Sequence, residues 1–159
     1  MKEFLKKTRN KGLALAEIVI GSAIILSGIL AISSAYTIYL KYALANQRNV
    51  EANYLLAEGL EVMGFFRDDN YSNIATDGTY YLSWSGTIWA TTTTPEYVDG
   101  KFSRSITVAP VYRDGDFRIA ESGTADSDSK FITATVSYFQ GQATTTRSVS
   151  SYLTNLNSD

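Results

Sequence analysis

The chain has 159 residues, no cysteine, no histidine, 14 basic and 16 acidic side chains, and a formal net charge of −2. That length holds at most one ordinary domain plus an anchor. The absent cysteines exclude disulfide staples and thiolate metal sites, and the absent histidines remove the commonest general base and metal ligand at neutral pH.

Charge is unevenly placed. The first twelve residues carry Lys2, Lys6, Lys7, Arg9 and Lys11 against Glu3 alone, which leaves nine bases and fifteen acids, net −6, in the other 147. A net-acidic chain is not a bulk polyanion binder, so nucleic-acid binding is not indicated. Gly12 closes the basic segment. From Leu13 to Leu40 the residues are apolar or small, with one charge, Glu17. A bilayer core needs about 20 helical apolar residues, and Leu13 to Ile32 supplies them. The basic flank predicts that residues 1–12 stay in the cytoplasm and that the C-terminal part lies outside. A secretory signal peptide is the competing reading, with small-x-small sites at Ala31-Ile32-Ser33 and Ala43-Leu44-Ala45. The run exceeds the roughly 7–15 residues of such a core, and Glu17 would lie inside it.

Glu17, Gly21 and Gly28 return near one azimuth of a helix, since steps of four and seven almost close a turn. Small residues on a stripe let membrane helices approach closely, although glycine is also frequent in membrane helices generally. Glu17 is harder to treat as incidental, because an acid at the centre of a membrane helix costs about 2.5–3.5 kcal/mol on insertion scales.

Past the bilayer, Tyr36, Leu40, Ala43, Val50, Tyr54 and Ala57 recur at spacings of three, four or seven, leaving Lys41, Arg48 and Glu51 on other faces. One helix from about Leu13 to Met63 is predicted, its inner half (13–40) in lipid and its outer half (41–64) amphipathic. Breaking residues accumulate from Gly64 to Asn70.

Residues 65–159 read as a β-rich domain. Thr79–Trp84 and Thr87–Ala90 are predicted strands around Ser85-Gly86, and Ser103–Tyr112 alternates with Ile106 and Val108 on one face before an Asp114-Gly115 turn. Phe117–Ala120 is a candidate returning strand, and Phe131–Phe139 with Thr144–Leu153 forms a final hairpin around Gln140-Gly141-Gln142. Four to six antiparallel strands after one long helix make the fold class α+β, with the helix's apolar stripe covering one face of the sheet.

Other signals are weaker. Asp126 and Asp128, with Asp114 and Asp116 nearby, offer hard oxygens. Calcium wants about six to eight of them and no EF-hand spacing is present, so a solvated acidic loop is the simpler reading and no cofactor is expected. Asn70-Tyr71-Ser72 matches a glycosylation triplet that arises often by chance. The threonine runs at 91–94 and 144–146 offer hydroxyls for O-linked sugar, but β-branched residues in strands explain them more simply. Trp84, Trp89 and the eleven tyrosines are candidates for an adhesive or sugar-stacking surface, against the simpler role of packing. No nucleophile elbow, phosphate loop or catalytic carboxylate pair is present, so no enzymatic activity is expected.

The order Lys11-Gly12-Leu13-Ala14-Leu15-Ala16-Glu17, a basic leader closed by glycine before a hydrophobic run, resembles the class III signal of type IV prepilins and type II secretion pseudopilins. Softer similarity to minor pilins and minor pseudopilins continues through Tyr54-Leu55-Leu56-Ala57-Glu58-Gly59-Leu60-Glu61 and Arg67-Asp68-Asp69-Asn70, and into the strands ending at Tyr138 and Thr154. The resemblance implies a ladle-shaped pilin-like fold and cleavage after Gly12 by a prepilin peptidase. It also implies N-methylation of the new Leu13 amine and assembly through Glu17, Gly21 and Gly28. The family's most familiar start is Phe-Thr, where this chain has Leu13-Ala14. The implied partners are the peptidase, other pilin or pseudopilin subunits, an inner-membrane assembly platform and the lipid bilayer. The implied place is the cell membrane and then an extracellular or periplasmic filament, serving a pilus or a secretion pseudopilus. The alternative is a non-assembling single-pass membrane protein whose external β-domain binds a ligand or partner.

Overall fold

The computed structural model describes residues 2–141 and 143–156, with side chains from Gly12 onward. The expectations placed on the side chains of Lys2, Glu3, Lys6, Lys7, Arg9 and Lys11, and on Gln142 in the final hairpin, lie outside the described residues. A single helix, α1, runs over Lys2–Asp69, and a 3₁₀ turn follows at Tyr71–Ile74. The strands are β1 (Gly78–Trp84), β2 (Trp89–Thr92), β3 (Tyr97–Val98), β4 (Phe102–Arg113), β5 (Ile119–Ala120), β6 (Thr124–Gln140) and β7 (Ala143–Thr154). They form one antiparallel sheet in the order β2-β1-β4-β6-β7, with the short β3 and β5 paired to β4. The chain divides into two units, Met1–Asn46 and Gln47–Asp159. The second is α+β: the last part of α1 packs on the sheet.

The helix passes Gly64 and ends six residues beyond Met63. Glycine costs about 1 kcal/mol in a helix, and burial on either side offsets it, because Met63 is buried and Phe66 packs against the core. The stop comes at Asn70, which is extended (φ −161°, ψ 122°) and whose side chain accepts a hydrogen bond from the Ser72 N–H to cap the 3₁₀ turn.

The face of α1 that meets the sheet is not the one its spacing suggested. Val50, Tyr54 and Ala57 are exposed, with Tyr54 at 72%. Ala52, Leu56, Gly59 and Met63 are buried instead, and with Val62 they join Ile74, Leu82, Phe102, Ile106, Val108, Ile132, Ala134 and Val136 in the core. At about 100° per residue these two stripes lie on roughly opposite sides of the helix. Both have helical periodicity, and periodicity alone does not say which one a sheet will cover. Gly59 marks the closest approach, since a methyl group there would sit 3.0 Å from Ile106 Cδ1 and 3.4 Å from Ala134 Cβ.

The sheet contains more strand than expected. Strand β2 begins at Trp89 rather than Thr87, because Ser85 N–H and Oγ both bond to the Ile88 carbonyl and hold 85–88 as the turn. Strand β6 starts seven residues earlier than Phe131. Its ladder to β4 is interrupted where Pro110, which has no N–H to give, faces Lys130 and the next residue, Val111, faces Asp126. Gly123, just before β6, has φ 149° and a Cβ there would lie 2.1 Å from the Arg113 carbonyl oxygen, so only glycine fits.

Candidate functional site

The described residues of the first unit form a helix. Between Leu13 and Leu44 its large apolar side chains are exposed, Ile18 and Ile32 at 72% each. The helix Gly12–Asp69 contains an 18-residue window of mean hydropathy 2.3, none of it buried, which makes it long and apolar enough to cross a membrane. Three of its hydroxyl groups are bonded within the helix. Ser22 Oγ donates to the Val19 carbonyl (2.9 Å), Ser27 Oγ to Ile24 (2.8 Å) and Thr37 Oγ1 to Ser33 (2.9 Å). Such bonds remove hydroxyl groups that hydrocarbon cannot solvate.

Glu17 is exposed on this helix and has no hydrogen-bond or ion-pair partner among the described residues. Gly21 is half-buried, Gly12 and Gly28 are exposed, and a methyl group added at any of the three would meet nothing within 4 Å. Among the described residues no contact requires glycine there, in contrast to Gly59. Leu13, at the implied cleavage point, is 64% exposed.

The acidic residues weighed as calcium ligands are already engaged. Asp126 Oδ2 accepts from Arg113 Nε at 2.7 Å, and its Oδ1 accepts from the Asp128 N–H at 2.9 Å. Asp114 Oδ1 accepts from the N–H groups of Asp116 and Arg118, which shapes the β4–β5 turn. Among the described residues no group of three or more carboxylates is arranged to hold a metal ion. Burial alone would push the Asp126 carboxyl up, but the bonds from Arg113, the Asp128 N–H and Ser129 outweigh it and hold the group below its ordinary range. Tyr71, whose hydroxyl donates to the Ser127 carbonyl, is raised by burial first and then by the Asp128, Asp126 and Asp77 carboxylates.

One charged group escaped notice in the sequence. Arg104 is 3% exposed and pairs with Glu58 of α1 at 2.8 Å, with its guanidinium 5.3 Å from the Trp89 ring centroid. Its Nε has no partner. Strand parity was the available signal, since Arg104 shares the inward phase of Ile106 and Val108. At the other end of the sheet a polar collar ties α1 to the β6–β7 hairpin. Tyr138 Oη and Arg147 Nη2 both donate to Asn49 Oδ1, and Arg48 Nη1 donates to the Phe139 carbonyl.

The chain has no significant match among protein-family models, curated proteins or solved structures.

Proposed function

We propose that this chain is a pilin-like structural subunit of minor-pilin type, cut after Gly12 and polymerised through its N-terminal helix. The observation that carries the reading is the bare helix of the first unit, an apolar surface with one unpartnered acid, Glu17. A lipid bilayer satisfies the apolar surface and leaves the acid unexplained. A bundle of identical helices accounts for both. Cleavage would put a new positive amine on Leu13, and Glu17 of one subunit would neutralise that amine on its neighbour, where pairing offsets the burial cost of each charge.

Two further features support assembly. Gly21 and Gly28 answer no contact within the chain, and glycine in a helix otherwise costs about 1 kcal/mol relative to alanine. The exposed apolar residues Val50, Tyr54 and Ala57, on the side of α1 away from the sheet, offer a helix partner more surface. The β-rich domain would then face outward, and the organelle would be a type IV pilus or a secretion pseudopilus. The partners in this reading are the prepilin peptidase, sister subunits and a membrane assembly platform, and no catalytic role is proposed.

Intact mass and N-terminal sequence of the protein from its native membrane test the reading. A chain beginning at Leu13, with one added methyl, is the expected result. A chain retained from Met1 and monomeric in detergent would instead identify a membrane-anchored binding domain. Replacement Glu17→Ala should leave membrane insertion intact and abolish incorporation into filaments, and normal incorporation would remove the charge-pairing step.

A further inference from the structure

We propose that the cleft between the end of α1 and the β1–β2 hairpin binds a neutral saccharide. The cleft has a volume of about 500 Å³, and Phe65, Phe66, Asp69, Asn73, Ile88 and Trp89 line it. That volume falls within the roughly 300–1,000 Å³ of ligand clefts. The site goes beyond the assembly role, because it lies wholly in the second unit and uses none of the residues of the N-terminal helix assigned to polymerisation.

Apolar side chains are concentrated here although a core was open to them. Phe65 is 65% exposed, Ile88 68% and Trp84 50%. A large exposed apolar group forgoes burial free energy of about 25 cal/mol per Å², and a cluster of them marks a binding surface. The indole of Trp89 is held on two sides. Its ring lies 5.0 Å from that of Trp84, tilted by 44°, and the Arg104 guanidinium sits 5.3 Å from its centroid. Because that guanidinium is anchored by Glu58, Trp89 is fixed as a wall of the cleft, and the exposed Phe65 ring is the aromatic face left for stacking. A wall fixed before a ligand arrives lowers the ordering cost of binding.

Beside the aromatic groups stands a prearranged polar pair. Asn73 Nδ2 donates to Asp69 Oδ2 at 3.2 Å and to the Phe66 carbonyl at 3.4 Å, so the amide and carboxylate are oriented by each other. Asp69 Oδ1 and Asn73 Oδ1 have no partner among the described residues, which leaves two acceptors open at the wall of the cleft. A pyranose presents just these two chemistries. Its axial C–H groups form an apolar face that stacks on an aromatic ring, and its adjacent equatorial hydroxyls form pairs of donors that planar carboxylate and amide groups accept.

Charge selects among sugars. Asp69 is the one ionised group lining the cleft. The cations nearby are committed elsewhere, Arg104 to Glu58 and Arg67 to Asp68 at 2.6 Å. An anionic sugar would meet a like charge with no cation among the described lining residues to offset it, while a neutral one meets only acceptors and rings. A peptide or a second copy of the chain offers backbone N–H donors singly, whereas a pyranose offers two adjacent hydroxyls to the paired acceptors.

The experiment uses the full-length protein in a zwitterionic detergent that carries no sugar headgroup. Intrinsic tryptophan fluorescence and saturation-transfer NMR are followed during titration with lactose, cellobiose and diacetylchitobiose, and with sialyllactose as the anionic counterpart. The expected result is a saturable change with at least one neutral disaccharide, at a Kd of roughly 1 mM, and about tenfold weaker binding of sialyllactose than of lactose. Phe65→Ala, at an exposed position, should weaken binding about tenfold without lowering Tm; Asn73→Ala should weaken it about tenfold and also lower Tm, because its amide bonds the Phe66 carbonyl and Asp69. Absence of saturation with every neutral probe overturns the proposal. So does unchanged affinity in Phe65→Ala, or a fluorescence change that tracks self-association of the protein rather than sugar concentration. Equal affinity for lactose and sialyllactose overturns the selection for neutral sugars.

Discussion

Asp126 shows how one side chain joins two parts of the sheet. It lies where the β4–β6 ladder skips from Pro110 to Val111, and it uses one oxygen for Arg113 and the other for the Asp128 N–H. Its folded carboxyl is held below the ordinary value, so the folded state binds the proton less readily than the unfolded chain. Stability from this group is therefore present above the unfolded value of about 3.9 and is lost as pH falls through the lower folded value. Asp126→Asn should lower Tm at neutral pH, and the gap from the wild type should close as the pH is taken to about 2. A gap that stays constant across that range would mean the carboxylate's charge is not what the ladder uses. Arg104 is a different case: its charge is buried under Trp89 and satisfied by a half-exposed Glu58. An ion pair of this kind orients α1 on the sheet more than it stabilises it, because desolvation offsets most of the attraction.

At the scale of elements, α1 serves two environments with one periodicity. In its second part the helix approaches the sheet through Gly59, where an added methyl group comes within 3.0 Å of Ile106 Cδ1. In its first part Gly21 and Gly28 have open space around them. Replacing the glycine should therefore have different consequences at the two places. Gly59→Val should destabilise the fold by about 1–3 kcal/mol through overpacking. Gly28→Ala should leave the protomer as stable or gain up to about 1 kcal/mol of helix propensity, and a loss in that variant should appear only in assembly. Chemical denaturation of both variants, paired with a filament or cross-linking assay, separates the two. Destabilisation of the Gly28→Ala protomer would place its partner inside the chain rather than outside. In the sheet, the face away from the helix is lined by hydroxyls paired across strands, Thr133 with Ser150, Thr135 with Ser148 and Ser137 with Thr146. These pairs reinforce a β6–β7 register that runs unbroken from Ser129↔Thr154 to Gln140↔Ala143.

For the whole molecule, the division at Asn46 and Gln47 separates two ways of satisfying apolar surface. Gln47–Asp159 holds its own core, with Met63, Ile74, Ile106, Ile132 and Val136 essentially out of solvent. A unit with its own core is expected to fold alone. Residues 47–159 expressed without the first unit should be soluble and monomeric and should melt in one cooperative transition by circular dichroism. A non-cooperative melt would show that the upstream helix is needed to complete the core. Among the described residues, 12–46 contribute none to the core, and their large apolar side chains are exposed.

Much of this was legible before any tertiary information. The long helix follows from an unbroken run of helix formers and apolar residues after Gly12, and the α+β class follows from the switch to period-two alternation after Gly78. Those are local signals, carried by neighbours in sequence, and the structure places the main strands close to where they predict. The spacing in the sequence pointed to the wrong one of two helical stripes for the sheet to cover. Val50, Tyr54 and Ala57 have as good a period as Ala52, Leu56, Gly59 and Met63, and it is the second stripe that carries the close approach to Ile106 and Ala134, at a glycine where a side chain would obstruct it. The extent of β6, the skip at Pro110, the stacking of Arg104 against Trp89 and the meeting of Phe65 with the hairpin were out of reach, although strand parity alone put Arg104 on the inward face of β4. Each depends on residues far apart in sequence being brought together, and such contacts are chosen by packing across the sheet rather than by any preference of the local chain.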